Sequence, residues 1–504
     1  MSQTHTARLR PFVFFAPFLL LAASAAYSLY DAEGFMHRAE GLNNWILRHF
    51  GWLFSAGTLL FVGLCIAAYV SPLGRVRIGG PEARPILSRW QWFSVVLCTT
   101  IAIGILFWGA AEPLYHLHNP PAGLGAAPGG DAAARFALST MFMHWTFTPY
   151  SIYTLAGLTF ALAYYNLRQP YSLGAMLYPL LGQKAGRWAP AIDAVCLYSL
   201  AAGMAASLGA GALTIAGGLE KYAQLENTPL LLGAATLLVV VAYVGSSVTG
   251  LTRGIQWLSN LNTWVFLGLA GFVLLFGPTL KLLALGAEGL ADYLWHFLPR
   301  SLGIGMEKDW ADNWTVFYWA NWLAWTPVTA VFLGQIATGY TVREFIRFNL
   351  LLPSLFSMLW MTIFSGNALY IDHYAGAADL HGMLLASGPE SVIYGLFDQL
   401  PLPTLLGIVF FVTAFLSYVA GADANTSAMS GLSAGGISPE TPEAPAWIKV
   451  AWGLVVGFMA WVVVAFAGID GIKMASNLGG FPALFLLLAV AAAMVRLMLR
   501  WREL

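Results

Sequence analysis

The chain has 504 residues, of which 59% are hydrophobic and 10% are charged, and its formal net charge is zero. Soluble domains carry about 25% charged residues, so this composition excludes an ordinary soluble protein and indicates an integral membrane protein. The zero net charge gives no sign of nucleic-acid binding. The apolar runs are continuous and not alternating, which predicts transmembrane helices and not the strands of a barrel.

Twelve apolar runs predict twelve transmembrane helices. Their ranges are 11–30, 51–70, 91–111, 137–164, 190–217, 229–247, 260–282, 313–339, 347–370, 402–430, 446–468 and 474–499, with short tails at 1–10 and 500–504. Arg8 and Arg10 before the first run resemble the start of a signal peptide, but this run is long enough to span, so we expect it to be retained. Most Lys and Arg residues lie in the tails and even-numbered loops, which predicts that both termini are cytoplasmic.

Five of the predicted spans contain residues that interrupt helices. They are Gly104 and Gly109 in span 3, Pro149 in span 4, Gly203, Gly209 and Gly211 in span 5, Pro327 in span 8 and Gly421 in span 10. Small residues often allow membrane helices to pack closely, whereas broken helices near the midplane form the substrate sites of secondary transporters. Between spans 7 and 8, residues 283–312 contain an amphipathic segment that ends at Arg300 and is predicted to be an interfacial helix.

Aromatic residues concentrate on one face of span 8 and one face of span 4. The span-8 face, spaced i, i+4 and i+7, is formed by Tyr318, Trp322 and Trp325. The span-4 face, within about 140° of the helix circumference, is formed by Trp145, Tyr150 and Tyr153. Two such faces can close an aromatic cage, which attracts a quaternary ammonium group by up to about 2 kcal/mol per desolvated ring. The alternative is core packing by large rings.

Each ionisable group inside the predicted spans has both a functional and a structural interpretation. His144 can relay protons, but a hydrogen bond to a neighbouring helix is the favoured interpretation. Glu112, where span 3 ends, is predicted to take part in structural pairing. Asp423 is the only carboxylate well inside span 10, where it can bind a cation, carry a proton or hold a helix break. Asp193 is predicted to serve a helix terminus.

Other chemistries find little support in the sequence. It contains no Walker loop, zinc-ligand spacing or catalytic dyad, which disfavours an ATP-driven pump and an integral membrane enzyme. The three cysteines, Cys65, Cys98 and Cys196, lie in apolar runs and are predicted to be core side chains without a disulfide or metal site. No cofactor is expected.

Several motifs resemble the betaine/choline/carnitine transporter family. They are Gly109-Ala-Ala-Glu-Pro-Leu, His144-Trp145, Arg253-Gly-Ile-Gln-Trp-Leu-Ser-Asn260, Trp314-Thr-Val-Phe-Tyr-Trp-Ala and Val342-Arg-Glu-Phe. The resemblance extends from about span 1 to span 12. It implies an all-α, LeuT-like fold in which two leading helices (11–90) precede two inverted five-helix repeats (91–282 and 313–499) joined by 283–312. It also implies a homotrimer in the cytoplasmic membrane, with the interfacial helix near 286–300 helping the contact.

The resemblance further implies a site for a trimethylammonium zwitterion. Carried over by position, the family's aromatic box falls on Trp145, Tyr150, Tyr153 and Trp322. Further substrate contacts are expected at Trp325 on the inner side, Trp319, Tyr115, Ile101 and Ala102. The substrate carboxylate is expected to meet backbone N–H groups between Thr100 and Gly104.

Departures from the family pattern concern substrate and coupling. Asn321 replaces the first of two consecutive tryptophans in span 8, and its amide suits a substrate hydroxyl. Ala420 and Gly421 replace the Thr-Ser pair of sodium-coupled members, and sodium prefers oxygen ligands. Gln256 stands where the sodium-independent branch has an arginine. The expected carrier therefore departs from the sodium–betaine pattern. Its transport could be coupled to protons through Asp423 or His144, to exchange of substrate, or to sodium. A membrane sensor that binds the same ligand is the rival class of function.

Overall fold

The computed structural model describes the backbone of residues 8–100, 102–249, 252–435 and 444–504, and the side chains of the same residues except 98–103 and 249–260. This part of the chain is almost entirely helical, in agreement with the predicted all-α class. Two strands in it, β1 (Arg8–Leu9) and β2 (Ala434–Gly435), form a short antiparallel pair. The pair joins the N-terminal segment to the chain that follows predicted span 10.

Long helices dominate the first half of the described chain. In order they are α1 (Pro11–Tyr30), α2 (Ala32–Val70), α3 (Arg89–Thr100), α4 (Ala102–His118), α5 (Asp131–Trp145), α6 (Phe147–Ala161), α7 (Tyr178–Leu181), α8 (Lys184–Ala223), α9 (Pro229–Thr249) and α10 (Thr252–Phe276). A π-helical turn, Leu162–Asn166, extends α6, and a 3-10 helix, Leu173–Leu177, precedes α7.

The second half begins with a helix that turns away from its predecessor. Its helices are α11 (Thr279–Trp295), α12 (Phe297–Ser301), α13 (Lys308–Ala311), α14 (Phe317–Gln335), α15 (Val342–Ile346), α16 (Leu352–Leu369), α17 (Leu380–Ser387), α18 (Pro389–Asp398), α19 (Pro403–Ser433) and α20 (Ala446–Leu499). The axes of α10 and α11 are bent by 107°. The segment predicted to be interfacial is thus a helix lying across the direction of α10.

Seven described helical stretches are long and apolar enough to cross a membrane, or eight if the bent pair counts as one. They are Pro11–Tyr30, Ala32–Val70, Lys184–Ala223, Pro229–Val248, Val342–Tyr374, Pro403–Ser433 and Ala446–Leu499. Predicted span 4 falls on a divided helix, since α5 and α6 have 15 residues each, below the ~20 that a span needs. Predicted span 3 contains residue 101, which lies outside the described residues. α20 has 54 residues, and its non-helical Gly468 is the last residue of predicted span 11, before predicted span 12 begins.

One of the five predicted helix interruptions coincides with a helix boundary, one falls beside residue 101, which lies outside the described residues, and three are wrong. In span 3, α4 continues from Ala102 through Gly104 and Gly109. In span 4, α5 and α6 are separated by Thr146, close to Pro149. By contrast, α8, α14 and α19 continue through the glycines of span 5, through Pro327 and through Gly421.

Glycines inside the continuous helices allow close packing between neighbouring helices. A Cβ atom on Gly211 of α8 would lie 2.6 Å from the ring of Tyr418, and one on Gly480 of α20 would lie 2.2 Å from the carbonyl oxygen of Ala320. Small residues allow membrane helices to approach in this way, and neighbouring helices make a proline tolerable within a span. Gly211 therefore allows α8 to approach α19 closely, and Gly480 allows α20 to approach α14.

The helices around α14 create the central part of the molecule. α14 packs against α6 on one side and against α20 and α8 on the other, while α4 packs against α5 and α16. At another place the N-terminal segment is fastened to α8, where Asp193 forms an ion pair with Arg10 at 2.7 Å and accepts the backbone N–H of Leu173 at 3.0 Å. Leu173 begins a 3-10 helix, in agreement with the predicted role of Asp193 at a helix terminus.

Candidate functional site

Three aromatic side chains from α5 and α6 surround Trp322 of α14, so that four aromatic rings from three helices lie together. Its ring centroid lies 5.8 Å from that of Trp145, 5.4 Å from that of Tyr150 and 4.9 Å from that of Tyr153. None of the four side chains is more than 5% exposed. The aromatic faces predicted in spans 4 and 8 are therefore adjacent, and this aromatic cluster (Trp145, Tyr150, Tyr153 and Trp322) is closed to solvent in this conformation.

The break at Thr146 explains how span 4 supplies three of these rings. Thr146 has φ −127° and ψ −114°, outside the helical region, and its hydroxyl donates to the carbonyl oxygen four residues earlier at 2.6 Å. Pro149 follows in the first turn of α6, where its missing N–H breaks no helical hydrogen bond. Trp145 consequently ends α5, while Tyr150 and Tyr153 lie on the first two turns of α6.

The Trp145 ring also packs against the backbone of Gly104 in α4. A Cβ atom added to Gly104 would lie 2.5 Å from Cη2 of Trp145. Any larger residue at this position must therefore displace the indole. Gly104 is therefore the glycine of span 3 against which the aromatic cluster packs.

A buried carboxylate collects four hydrogen-bond donors beside this cluster. Glu112 of α4 is 0% exposed. Its Oε1 accepts from His144 Nδ1 at 2.7 Å and from His116 Nε2 at 3.1 Å, while its Oε2 accepts from Trp145 Nε1 at 3.1 Å and from the hydroxyl of Tyr318. These five residues, which we call the Glu112 network, join α4, α5 and α14 through side chains alone.

The network satisfies a charge that would otherwise be costly to bury. An isolated carboxylate in an apolar interior is strongly disfavoured, whereas hydrogen bonds to an ionised oxygen are about twice as strong as neutral ones. His144 also stacks on Tyr318 at 4.4 Å, and its Nε2 lies 3.2 Å from the hydroxyl of Thr315. The predicted hydrogen bond between His144 and a neighbouring helix is confirmed, and the predicted structural pairing of Glu112 is confirmed with more partners than expected.

The same residues offer ligand atoms for a metal ion. One atom each from Glu112, His116 and His144 lie within 4.8 Å of one another, a donor set that suits a divalent cation such as zinc. A metal on Oε1 would displace two of the hydrogen bonds described above. Because hydrogen bonding already satisfies both carboxylate oxygens, we describe the three residues as part of the Glu112 network.

The remaining predicted substrate residues lie around the aromatic cluster and not within it. Trp319 is fully buried with its ring centroid 6.0 Å from His144. Trp325 is half-buried and packs toward α8, since a Cβ on Gly203 would lie 3.4 Å from its indole. The Oδ1 of Asn321 accepts from Ser476 of α20 at 3.2 Å. Tyr115 packs against Trp314 with its ring tilted by 49° and 5.1 Å between ring centroids.

The predicted coupling residues are dispersed. Asp423 is 7% exposed in the middle of α19, and Ala420 and Gly421 are half-buried on the same continuous helix. His144 belongs to the Glu112 network, on different helices. Ile101 lies outside the described residues, and the side chains of Ala102 and Gln256 lie outside them as well.

Sequence reasoning missed His116 and underestimated Glu112. His116 follows Glu112 by four residues on α4, and this spacing places two side chains on one helix face, so a local signal was present. The contributions of Trp145 and Tyr318 had no local signal, because they come from α5 and α14 and depend on how the three helices meet.

Comparisons with known proteins agree along nearly the whole chain. A profile described as the BCCT betaine/carnitine/choline family transporter matches residues 12–502. Glycine betaine transporter 1 of Vibrio parahaemolyticus is 32% identical over 493 residues, covering 95% of this chain and 91% of its own. Glycine betaine transporter OpuD of Bacillus subtilis is 27% identical, covering 96% and 93%. The high-affinity choline transport protein of Escherichia coli is 28% identical, covering 90% of this chain and 67% of its own.

Proposed function

This chain belongs to the betaine/carnitine/choline transporter family, and from that premise we propose that it moves a quaternary-ammonium zwitterion across the cytoplasmic membrane. The substrate class includes betaine, carnitine and butyrobetaine-like compounds. The relatives are membrane transporters and not enzymes. The observation that carries the substrate proposal is the convergence of three rings on Trp322, because a trimethylammonium group has no hydrogen-bond donor and is attracted to aromatic faces.

Movement of the substrate follows an alternating-access cycle in this proposal. The aromatic cluster is at most 5% exposed, so a substrate reaches it only after the helices around it rearrange. Secondary transporters achieve this by rocking one structural repeat against the other. The proposal includes twelve spans, LeuT-like inverted repeats at 91–282 and 313–499, cytoplasmic termini and a homotrimer, all of which rest on the family and on the distribution of Lys and Arg.

Substitutions of Trp322 test the site directly. Trp322→Leu removes the ring that the other three share and should weaken binding of betaine and carnitine roughly 30-fold, the equivalent of about 2 kcal/mol. Trp322→Phe keeps an aromatic face and should weaken binding less. Trp188→Leu is the control, because Trp188 is 58% exposed. Equilibrium binding of each labelled compound to purified protein measures these effects, and undiminished affinity in Trp322→Leu would remove the cluster as the binding site.

The second part of the proposal is that substrate transport is not coupled through the sodium sites of betaine symporters. Ala420 and Gly421 provide no side-chain oxygen for sodium. Two other routes are exchange of one substrate molecule for another and coupling to protons. The Glu112 network supports proton coupling, because it places His144 in contact with a carboxylate. Uptake into proteoliposomes with sodium, with a pH gradient or with internal substrate, each tested alone, distinguishes the three. Stimulation by sodium alone would overturn this part.

Asn321 is proposed to favour a substrate with a hydroxyl group, such as carnitine, over plain betaine. Its side chain also accepts a hydrogen bond from Ser476, so Asn321→Trp removes a contact between α14 and α20 as well. Ser476→Ala removes this contact, together with a hydrogen bond to the carbonyl oxygen of Ile472 within α20, and leaves the Asn321 side chain in place, so it is the matched control. The carnitine-to-betaine affinity ratio should fall in Asn321→Trp and stay constant in Ser476→Ala. A constant ratio in both variants contradicts the assignment.

A ligand-binding sensor is the rival function. Saturable binding without counterflow would identify a sensor, because counterflow requires that bound substrate crosses the membrane. Measuring the exchange of labelled for unlabelled betaine across sealed proteoliposomes distinguishes a sensor from a transporter.

A further inference from the structure

A lysine ammonium group lies over an aromatic ring beside the Glu112 network. Lys473 belongs to α20, five residues after the non-helical Gly468. Its Nζ lies 3.8 Å from the centroid of the Trp314 ring and 6.0 Å from that of Phe317. A cation within about 6 Å of an aromatic centroid is attracted by the ring, most strongly by tryptophan. Trp314 therefore holds a cation that is part of the protein.

This lysine has no close anionic partner in the described part of the chain. No described carboxylate oxygen lies within 4.0 Å of its Nζ, and the acidic groups that act on it electrostatically from farther away are Asp470 and Glu112. Its side chain is half-buried. A partly desolvated ammonium group without a contacting carboxylate is less common than a paired one, and it places a positive charge at this position.

Trp314 connects this charge to Tyr115 and to the Glu112 network. One neighbour is Tyr115, which is half-buried, with 5.1 Å between ring centroids. Another is His116 of the Glu112 network, at 4.7 Å. Trp314 itself is 8% exposed. The pair Tyr115–Trp314 is thus an aromatic surface at the edge of the buried Glu112 network, and Lys473 occupies one of its rings.

We propose that Lys473 selects substrates by charge, excluding simple cations such as choline and admitting zwitterions such as betaine. This inference rests on the proposed transport function. A trimethylammonium cation that approaches the Tyr115–Trp314 pair must displace the lysine from its ring and meets like-charge repulsion, which is weakly screened away from bulk water. A zwitterion brings its own carboxylate, which pairs with the displaced ammonium group and offsets that repulsion.

Two neutral variants and one charged control test the role of the charge. Lys473→Met and Lys473→Gln remove it with a side chain of similar length, and Lys473→Arg keeps a cation that also binds aromatic faces. Binding of choline and of betaine to the purified full-length protein is measured for each variant. The ratio of choline to betaine affinity should rise at least about tenfold in both neutral variants and stay near wild type in Lys473→Arg.

The outcomes separate this inference from the proposed function. If the wild-type protein binds neither compound nor carnitine, the proposed function fails. If it binds them and the affinity ratio is unchanged in Lys473→Met and Lys473→Gln, the selectivity role of Lys473 is wrong. A ratio that rises equally in Lys473→Arg also overturns it, because the positive charge would then not be the cause. Unchanged circular dichroism spectra and melting temperatures establish that each variant is folded.

Discussion

The Glu112 network predicts a large effect from replacing one atom. In Glu112→Gln a carboxylate oxygen becomes an amide nitrogen, which donates and does not accept. The indole N–H of Trp145 only donates, so the remaining oxygen must face Trp145 and Tyr318. His144 and His116 must then accept from the new amide, which forces both imidazoles into neutral forms with an acceptor nitrogen toward α4. The network can persist in outline, but all four bonds lose their ionised partner.

The magnitude follows from the number of bonds. Bonds to a charged group contribute about 1.5–3 kcal/mol and neutral ones about 0.5–1.5, so each of the four bonds loses about 1 kcal/mol. Side-chain bonds between membrane helices are weaker on average, at about 0.6 kcal/mol. We therefore expect Glu112→Gln to lower the free energy of unfolding by roughly 2–4 kcal/mol. Affinity for betaine should fall as well, because Trp145 is also a wall of the aromatic cluster.

Unfolding in mixed micelles, followed by near-ultraviolet circular dichroism, measures this difference. Glu503→Gln is the control: Glu503 pairs with Arg500 at 2.8 Å, but both side chains are 55% exposed, and exposed pairs contribute about 1 kcal/mol or less. If Glu112→Gln is no more destabilising than Glu503→Gln, the four hydrogen bonds do not hold α4, α5 and α14 together and the reasoning is refuted.

Three further substitutions test separate features. Glu390 lies in α18 outside the spans, and burial raises its pKa from 4.5 to about 7. Between these two pH values the native protein binds more protons than the unfolded chain, so the free energy of unfolding falls as the pH rises. Glu390→Gln should therefore raise the melting temperature more at pH 8 than at pH 5, and an equal change at both values contradicts this. Gly104→Ala should displace the Trp145 indole, which a Cβ would meet at 2.5 Å, and should weaken betaine binding about tenfold. An unchanged affinity in equilibrium binding would contradict this prediction. Asp193→Asn should weaken the 2.7 Å pair with Arg10 and lower the free energy of unfolding by about 1–3 kcal/mol, with substrate affinity unchanged.

Local spacing was sufficient to predict the two aromatic faces, whereas the choice of the four rings in the aromatic cluster came from the family resemblance. Trp322 lies four residues after Tyr318, and Tyr150 and Tyr153 lie three apart, so helix geometry alone places each pair on one face. The structure brings the two faces together through α6 and α14. The helix break near Pro149 was predictable for a similar reason, since a proline early in α6 favours a new helix start.

Features that depend on contacts between distant segments were not predictable in the same way. A glycine inside an apolar run permits either a break or a close helix contact, and only the position of Tyr418 against Gly211 decides between them. Asn321 carried a substrate hypothesis from its place beside Trp322, yet its hydrogen-bond partner in the structure is Ser476 on α20. The sequence contains both residues but not the packing that joins them.

The position of Trp145 links the two parts of the site physically. Its indole faces Trp322 in the aromatic cluster and donates its N–H to Glu112, and Tyr318 likewise contacts Trp145 and donates to the same oxygen. A ligand that moves either ring changes the hydrogen bonds on the carboxylate, and a change of charge in the network changes the orientation of the rings. Such coupling is reciprocal, since each event must alter the free energy of the other by the same amount. A proton-coupled cycle therefore needs no separate relay to Asp423 on α19, because the residues that would hold the ammonium group already hold the buried carboxylate.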